Sequence, residues 1–175
     1  PRLAQHTQVV AYDMAGFGHS EKTEGEYGVE VHAAELAQLV KRLGLIKPLL
    51  VGHSYGAGVV MRAALKDPAL YAGVIFTSAF LFEEQVPPTF KWAKWPGMGE
   101  LIFGSFYTQV PGEKFLLAFH DRKRLVSAEH LEEVKRVMGQ PGAVYAALET
   151  IRGMDYASYQ ADYATLQLPA LIIWG

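Results

Sequence analysis

The 175-residue chain carries 16 Lys and Arg against 18 Asp and Glu, a formal charge of −2, and is 50% hydrophobic and 19% charged. That balance is ample for a packed core, argues against disorder, and offers no basic footprint for nucleic acid or an acidic membrane surface. The chain has no cysteine, which excludes disulfides and thiolate metal sites, and its length allows one domain or one domain with a sizeable insertion.

Thr7 to Tyr12 (TQVVAY) is a short β-branched and aromatic run, predicted to be a buried strand. It leads into a loop, Asp13 to Ser20, that contains Gly16 and Gly18. The third glycine of a dinucleotide-binding G-x-G-x-x-G would fall at Glu21, so that motif is not formed. Within Val29 to Leu43, Leu36, Leu39, Val40 and Leu43 repeat at i, i+3, i+4 and i+7, which predicts an amphipathic helix stopped by Gly44.

The next stretch, LLVGHSYGAGVVMRAAL from Leu49 to Leu65, reads as a short strand, a tight turn and a helix that begins at once. Its turn, Gly52-His53-Ser54-Tyr55-Gly56, has the G-x-S-x-G pattern that lifts a serine hydroxyl to the top of a strand on a strained bend. Ser54 is therefore the candidate nucleophile. The two flanking glycines are expected where the chain doubles back too closely for side chains. The following helix presents Ala57, Val60, Met61, Ala64 and Leu65 on one face and ends at Asp67-Pro68. Tyr71 to Thr77 is predicted to be another buried strand. Strands that alternate with helices favour a parallel sheet with right-handed crossovers.

Beyond Phe80 the pattern changes to helices. Met98 to Tyr107 and Glu113 to His120 are helix candidates, and Leu131, Val134, Val137 and Met138 share a face after a Ser127 N-cap. Val144, Ala147, Leu148 and Ile151 form another face between Pro141 and Gly153. The aromatic residues Phe90, Trp92, Trp95, Phe103, Phe106, Tyr107, Phe115 and Phe119 can line an apolar pocket or simply pack this segment. Leu168 to Gly175 returns to strand character. The expected fold class is α/β, a parallel sheet with flanking helices and a helical cap inserted between two strands. The expected division is a core over 1–81, the cap over 82–165, and a returning core strand over 166–175.

These features together resemble the central part of an α/β-hydrolase fold enzyme with a cap. Asp13-x-x-Gly16-x-Gly18-x-Ser20 resembles the loop before the nucleophile strand, Gly52 to Gly56 the nucleophile turn, and Leu168 to Gly175 the strand that leads to the catalytic acid. The resemblance implies that Ser54 attacks an acyl carbonyl and that the backbone N–H of Tyr55 is one oxyanion donor. It also implies that His53 and His19 border the pocket. Because epoxide hydrolases and dehalogenases of this fold place aspartate at the nucleophile, serine favours acyl chemistry on a small-molecule ester or related substrate. Peptidase, carbon–carbon hydrolase, acyltransferase, haloperoxidase and non-catalytic binding readings stay open beside it.

The family order puts the acid and the histidine after Gly175, so the chain, which opens at Pro1 and stops at Gly175, is expected to be a fragment and inactive alone. Glu83 and Glu84 are a lesser candidate for the acid, and His120-Asp121 reads as a solvated helix end. No metal-ligand spacing, cofactor motif, membrane span or leader is found. A cytoplasmic location is the default expectation, and nothing in the sequence specifies an oligomeric state.

Overall fold

A computed structural model describes residues 2–109 and 126–174, with 105–109 described by backbone alone. The predicted helix Glu113–His120, the rings of Phe106, Tyr107, Phe115 and Phe119, and the His120-Asp121 pair lie outside what is described. Three strands form one sheet: β1 (Leu49–His53), β2 (Gly73–Thr77) and β3 (Ala170–Ile173), in the order β1-β2-β3. Both pairings are parallel, with Leu49 opposite Gly73 and His53 opposite Thr77, then Val74 opposite Ala170 and Thr77 opposite Ile173. Helix α1 (Val29–Arg42) precedes β1, and α2 (Tyr55–Lys66) crosses from β1 to β2.

Between β2 and β3 run α3 (Pro88–Ala93), α4 (Met98–Gln109), α5 (Ala128–Met138) and α6 (Ala143–Arg152). The signals read for α5 and α6 act as expected. Ser127 Oγ accepts the His130 N–H at 3.1 Å and starts α5, while Gly139 and Gly153 close α5 and α6.

Two apolar clusters organise the packing. The first joins Leu36 and Val40 of α1, Val60 and Ala64 of α2, and Leu50, Val74 and Phe76 of the sheet. The second joins Val86, Ala93, Phe103, Leu148, Ile151 and Tyr156 with Val29 from the start of α1. Tyr55 and Tyr163 touch both clusters, so the first residue of α2 lies where the two meet.

The burial of β1 alternates, with Leu50 and Gly52 buried but Leu49 and Val51 61% and 64% exposed. One sheet face is therefore packed by helices and the other is open among the described residues. Thr7 to Tyr12 departs from expectation: it is irregular, and Val9 is 51% exposed. A strand is stable only as part of a ladder, and among the described residues this run has no strand beside it.

Candidate active site

β1 delivers the chain to Ser54, whose backbone angles of φ 49° and ψ −120° lie in a region that L-residues other than glycine seldom occupy. Such strain costs about 1–3 kcal/mol and persists only where the surroundings hold it. Here three hydrogen bonds do so. Ser54 N–H donates to Thr77 O at 3.1 Å, and Ser54 O accepts from Ala57 N–H at 3.0 Å and Phe80 N–H at 3.1 Å. Ser54 is the N-cap of α2, yet its hydroxyl does not cap the helix. A capping serine needs extended backbone angles, which the bend denies. The hydroxyl thus makes no hydrogen bond among the described residues. Tyr55 is the first residue of α2, so its N–H has no intrahelical acceptor and shares in the positive end of the helix dipole.

The expectation about the flanking glycines holds for one of them. A Cβ on Gly52 would stand 2.5 Å from Gly56 O and 2.7 Å from Ala57 Cα, so the turn closes only without a side chain there. A Cβ on Gly56 would meet nothing within 4 Å; the close approach at this end of α2 belongs instead to Gly58. Its added Cβ would lie 2.8 Å from Tyr156 Cε1 and 3.3 Å from Phe80 O.

The structure does not bring the histidines singled out beside Ser54 into contact with its hydroxyl. His53 Nδ1 lies 3.1 Å from both Thr77 O and Thr77 Oγ1, and the ring braces β1 against β2 on the exposed side. His19 Nε2 faces Glu133 Oε1 of α5 at 2.8 Å, while its N–H donates to Asp13 Oδ2 at 2.9 Å. His19 therefore ties the Asp13–Ser20 loop to the helices between β2 and β3. Glu83 opens a short turn beside Gln160 and Glu84 is exposed. No group of three or more metal-ligating side chains occurs among the described residues. Trp92 and Trp95, expected as pocket or core aromatics, are 52% and 64% exposed.

Two features escaped the sequence reading. The first is His32 of α1, fully buried, with Nδ1 accepting the Tyr55 hydroxyl at 2.8 Å and Nε2–H donating to Ala15 O at 3.0 Å. Burial holds its ring below the ordinary histidine range, against smaller opposing effects from Ala15 O and Glu35. Its only sequence signal is a polar residue inside the apolar stripe Val29, Ala33, Leu36, Val40. The second is the aromatic row Phe80, Tyr156, Tyr159 and Tyr163, whose successive ring centroids are 5.7, 6.1 and 6.0 Å apart. Arg62 of α2 stands 5.1 Å over the Tyr159 ring. The buried hydroxyls of Tyr156 and Tyr159 have no partner among the described residues, whereas Tyr163 donates to Leu81 O at 2.6 Å. The i, i+3, i+7 spacing of the three tyrosines was the readable signal. Burial raises all three phenols, Tyr163 to about 12.

The chain matches a family model described as alpha/beta hydrolase fold over residues 1–175. The chain belongs to the alpha/beta hydrolase fold family. Among curated relatives, an uncharacterized protein of Mycobacterium tuberculosis is 35% identical over 191 residues, covering 99% of this chain and 54% of that protein. The 2-hydroxy-6-oxo-2,4-heptadienoate hydrolase of Pseudomonas putida is 39% identical over 69 residues, 39% of this chain and 25% of that enzyme. Among solved structures, the epoxide hydrolase CorEH matches with a TM-score of 0.78 at 22% identity, covering 99% of this chain and 67% of that one; this likeness bears on the fold. The chain thus spans about half the length of the mycobacterial relative it matches.

Proposed function

We propose that Ser54 is the nucleophile of a serine hydrolase that cleaves a small-molecule carboxylic ester or related acyl compound through an acyl-enzyme. The observation that carries this reading is the hydroxyl of Ser54, raised on a strained turn at the N-terminus of α2 and uncommitted to capping. Attack on a carbonyl carbon would move negative charge onto its oxygen, beside the Tyr55 N–H and the positive end of α2. One such donor is typically worth about 10²–10³ in turnover. The hydroxyl still needs a general base, and His19, His32 and His53 are each engaged elsewhere. Ester hydrolysis by the 175-residue chain alone is therefore expected to be no faster with Ser54 than with Ser54→Ala.

In the whole protein a fluorophosphonate probe should label Ser54 and no other residue. A folded, complete protein that escapes labelling would overturn the nucleophile role and favour ligand binding without catalysis. A second reading, serine-dependent cleavage of a carbon–carbon bond, draws on the local similarity to the P. putida hydrolase. Turnover of a nitrophenyl ester measured against a vinylogous diketone separates the two.

A further inference from the structure

The Ser54–Tyr55 peptide is held by more than its own turn. Tyr55 points its ring toward α1, where the hydroxyl donates to His32 Nδ1 at 2.8 Å with the two rings edge to face, 5.8 Å apart at 88°. The Ala15 carbonyl can only accept, so Nε2 carries a proton and gives it to Ala15 O at 3.0 Å, and in the neutral ring Nδ1 is then the acceptor. The other side of the Ala15 residue is held as well, since its N–H donates to the Glu35 carboxylate at 3.1 and 3.3 Å. His32 and Glu35 lie one turn apart on α1. A single helix face therefore grips both the loop after Asp13 and the first side chain of α2.

We propose that His32 is a positioning residue for the nucleophile turn, holding Tyr55 by its hydroxyl so that the Tyr55 N–H stays aimed at the oxyanion. The proposal rests on the reading of Ser54 as nucleophile. With Nδ1 unprotonated the Tyr55 hydroxyl donates to the ring; a proton on Nδ1 would reverse the bond, making the hydroxyl the acceptor and leaving its own buried proton to find another partner. Burial among the rings of Phe17 and Tyr27 from the loop, at 5.9 and 6.2 Å, and beside the Tyr55 hydroxyl from α2 favours the neutral ring; Glu35 from α1, whose carboxylate accepts from Ala15 N–H, and Ala15 O pull the other way but less strongly. Phenolic ionisation offers no competing charge, because burial raises the Tyr55 hydroxyl far above its ordinary value.

Two measurements test this. In the 175-residue chain, imidazole nitrogen NMR should show His32 as the Nε2–H tautomer, with Nδ1 unprotonated at pH values where an ordinary histidine is already half charged. The Nδ1–H tautomer, or an ordinary titration, would overturn the proposal. In the whole protein, Tyr55→Phe removes one oxygen atom, keeps the backbone donor, and should lower the rate of acyl-enzyme formation about tenfold with KM unchanged. His32→Gln should do the same, and the double variant should be no worse than the weaker single. Variants that melt earlier but acylate at the parental rate would reduce His32 to a packing role and sink the proposal. Ser54→Ala keeps the two readings apart. If it leaves activity intact, the nucleophile reading fails and the positioning role with it, even where the NMR signature of the hydrogen bond is present.

Discussion

The region around the Ser54 turn and the helical segment between β2 and β3 bury polar groups in opposite ways. At the turn the Ser54 N–H and C=O are both bonded, and fully buried His32 uses both ring nitrogens. Across the interface, Tyr156 and Tyr159 are packed by shape, ring edge against ring face, with their hydroxyls left without partners among the described residues. Directional bonds fix a position to tenths of an ångström; aromatic packing fills volume and tolerates slippage. The first suits a reacting centre. The second suits a wall that has only to exclude water and present a surface.

The largest effect is expected at the serine. Ser54→Ala in the whole protein should cost about 10⁴-fold or more in ester turnover, with unchanged chemical denaturation. Next comes the point where the two regions touch. Gly58→Ala drives a methyl group toward the Tyr156 ring and Phe80 O and should cost about 1–3 kcal/mol in urea unfolding. Gly56→Ala, with open space around it, should be neutral or stabilising by up to about 1 kcal/mol, because glycine in a helix loses more backbone entropy.

A matched pair of hydroxyl deletions then probes the contrast itself. Tyr55→Phe strands the Nδ1 of His32 and should destabilise by about 1–3 kcal/mol, whereas Tyr156→Phe removes an unanswered group and should be neutral or slightly stabilising. Equal losses at the two positions would erase the distinction drawn between the regions.

The pH dependence has a defined sign. The native His32 binds its proton less readily than the ordinary value of 6.5. Below that pH the unfolded chain takes up a proton that the folded one refuses. Stability from this group is therefore full above about pH 6.5 and is lost as pH falls toward the depressed native value, with a slope of at most about 1.4 kcal/mol per pH unit. Urea midpoints between neutral and mildly acidic pH should fall for the parent and fall less for His32→Gln. The smallest effect belongs to His19→Ala. The His19–Glu133 pair is exposed on both sides, and its loss should leave the melting temperature unmoved at physiological salt.

Much of the fold was legible because its signals are local. The apolar stripe of α1, the Ser127 cap of α5 and the strand-turn-helix around Ser54 each depend on residues within a turn or two of one another. The run Thr7 to Tyr12 has the composition of a strand and misled for the same reason: composition records a preference, and only a neighbouring strand converts it into a ladder. Trp92 and Trp95 misled in the other direction. Large aromatic residues in a predicted cap suggest burial, yet α3 is so short that Trp92 is left half exposed, and Trp95 lies past its end.

Local residues were enough to specify the Ser54 turn: a serine between glycines, with an apolar strand before it and an amphipathic helix after it, has few other ways to fold. Which groups hold that turn was decided by tertiary structure. His32 meets Tyr55 across 23 positions and Ala15 across 17, and Tyr156 reaches Gly58 from the far side of the helical segment. No local pattern records such pairs, because each residue is ordinary in its own neighbourhood. Burial beside the other is what gives each its role: it removes water as a competing partner and leaves the Tyr55 hydroxyl a histidine nitrogen to bond.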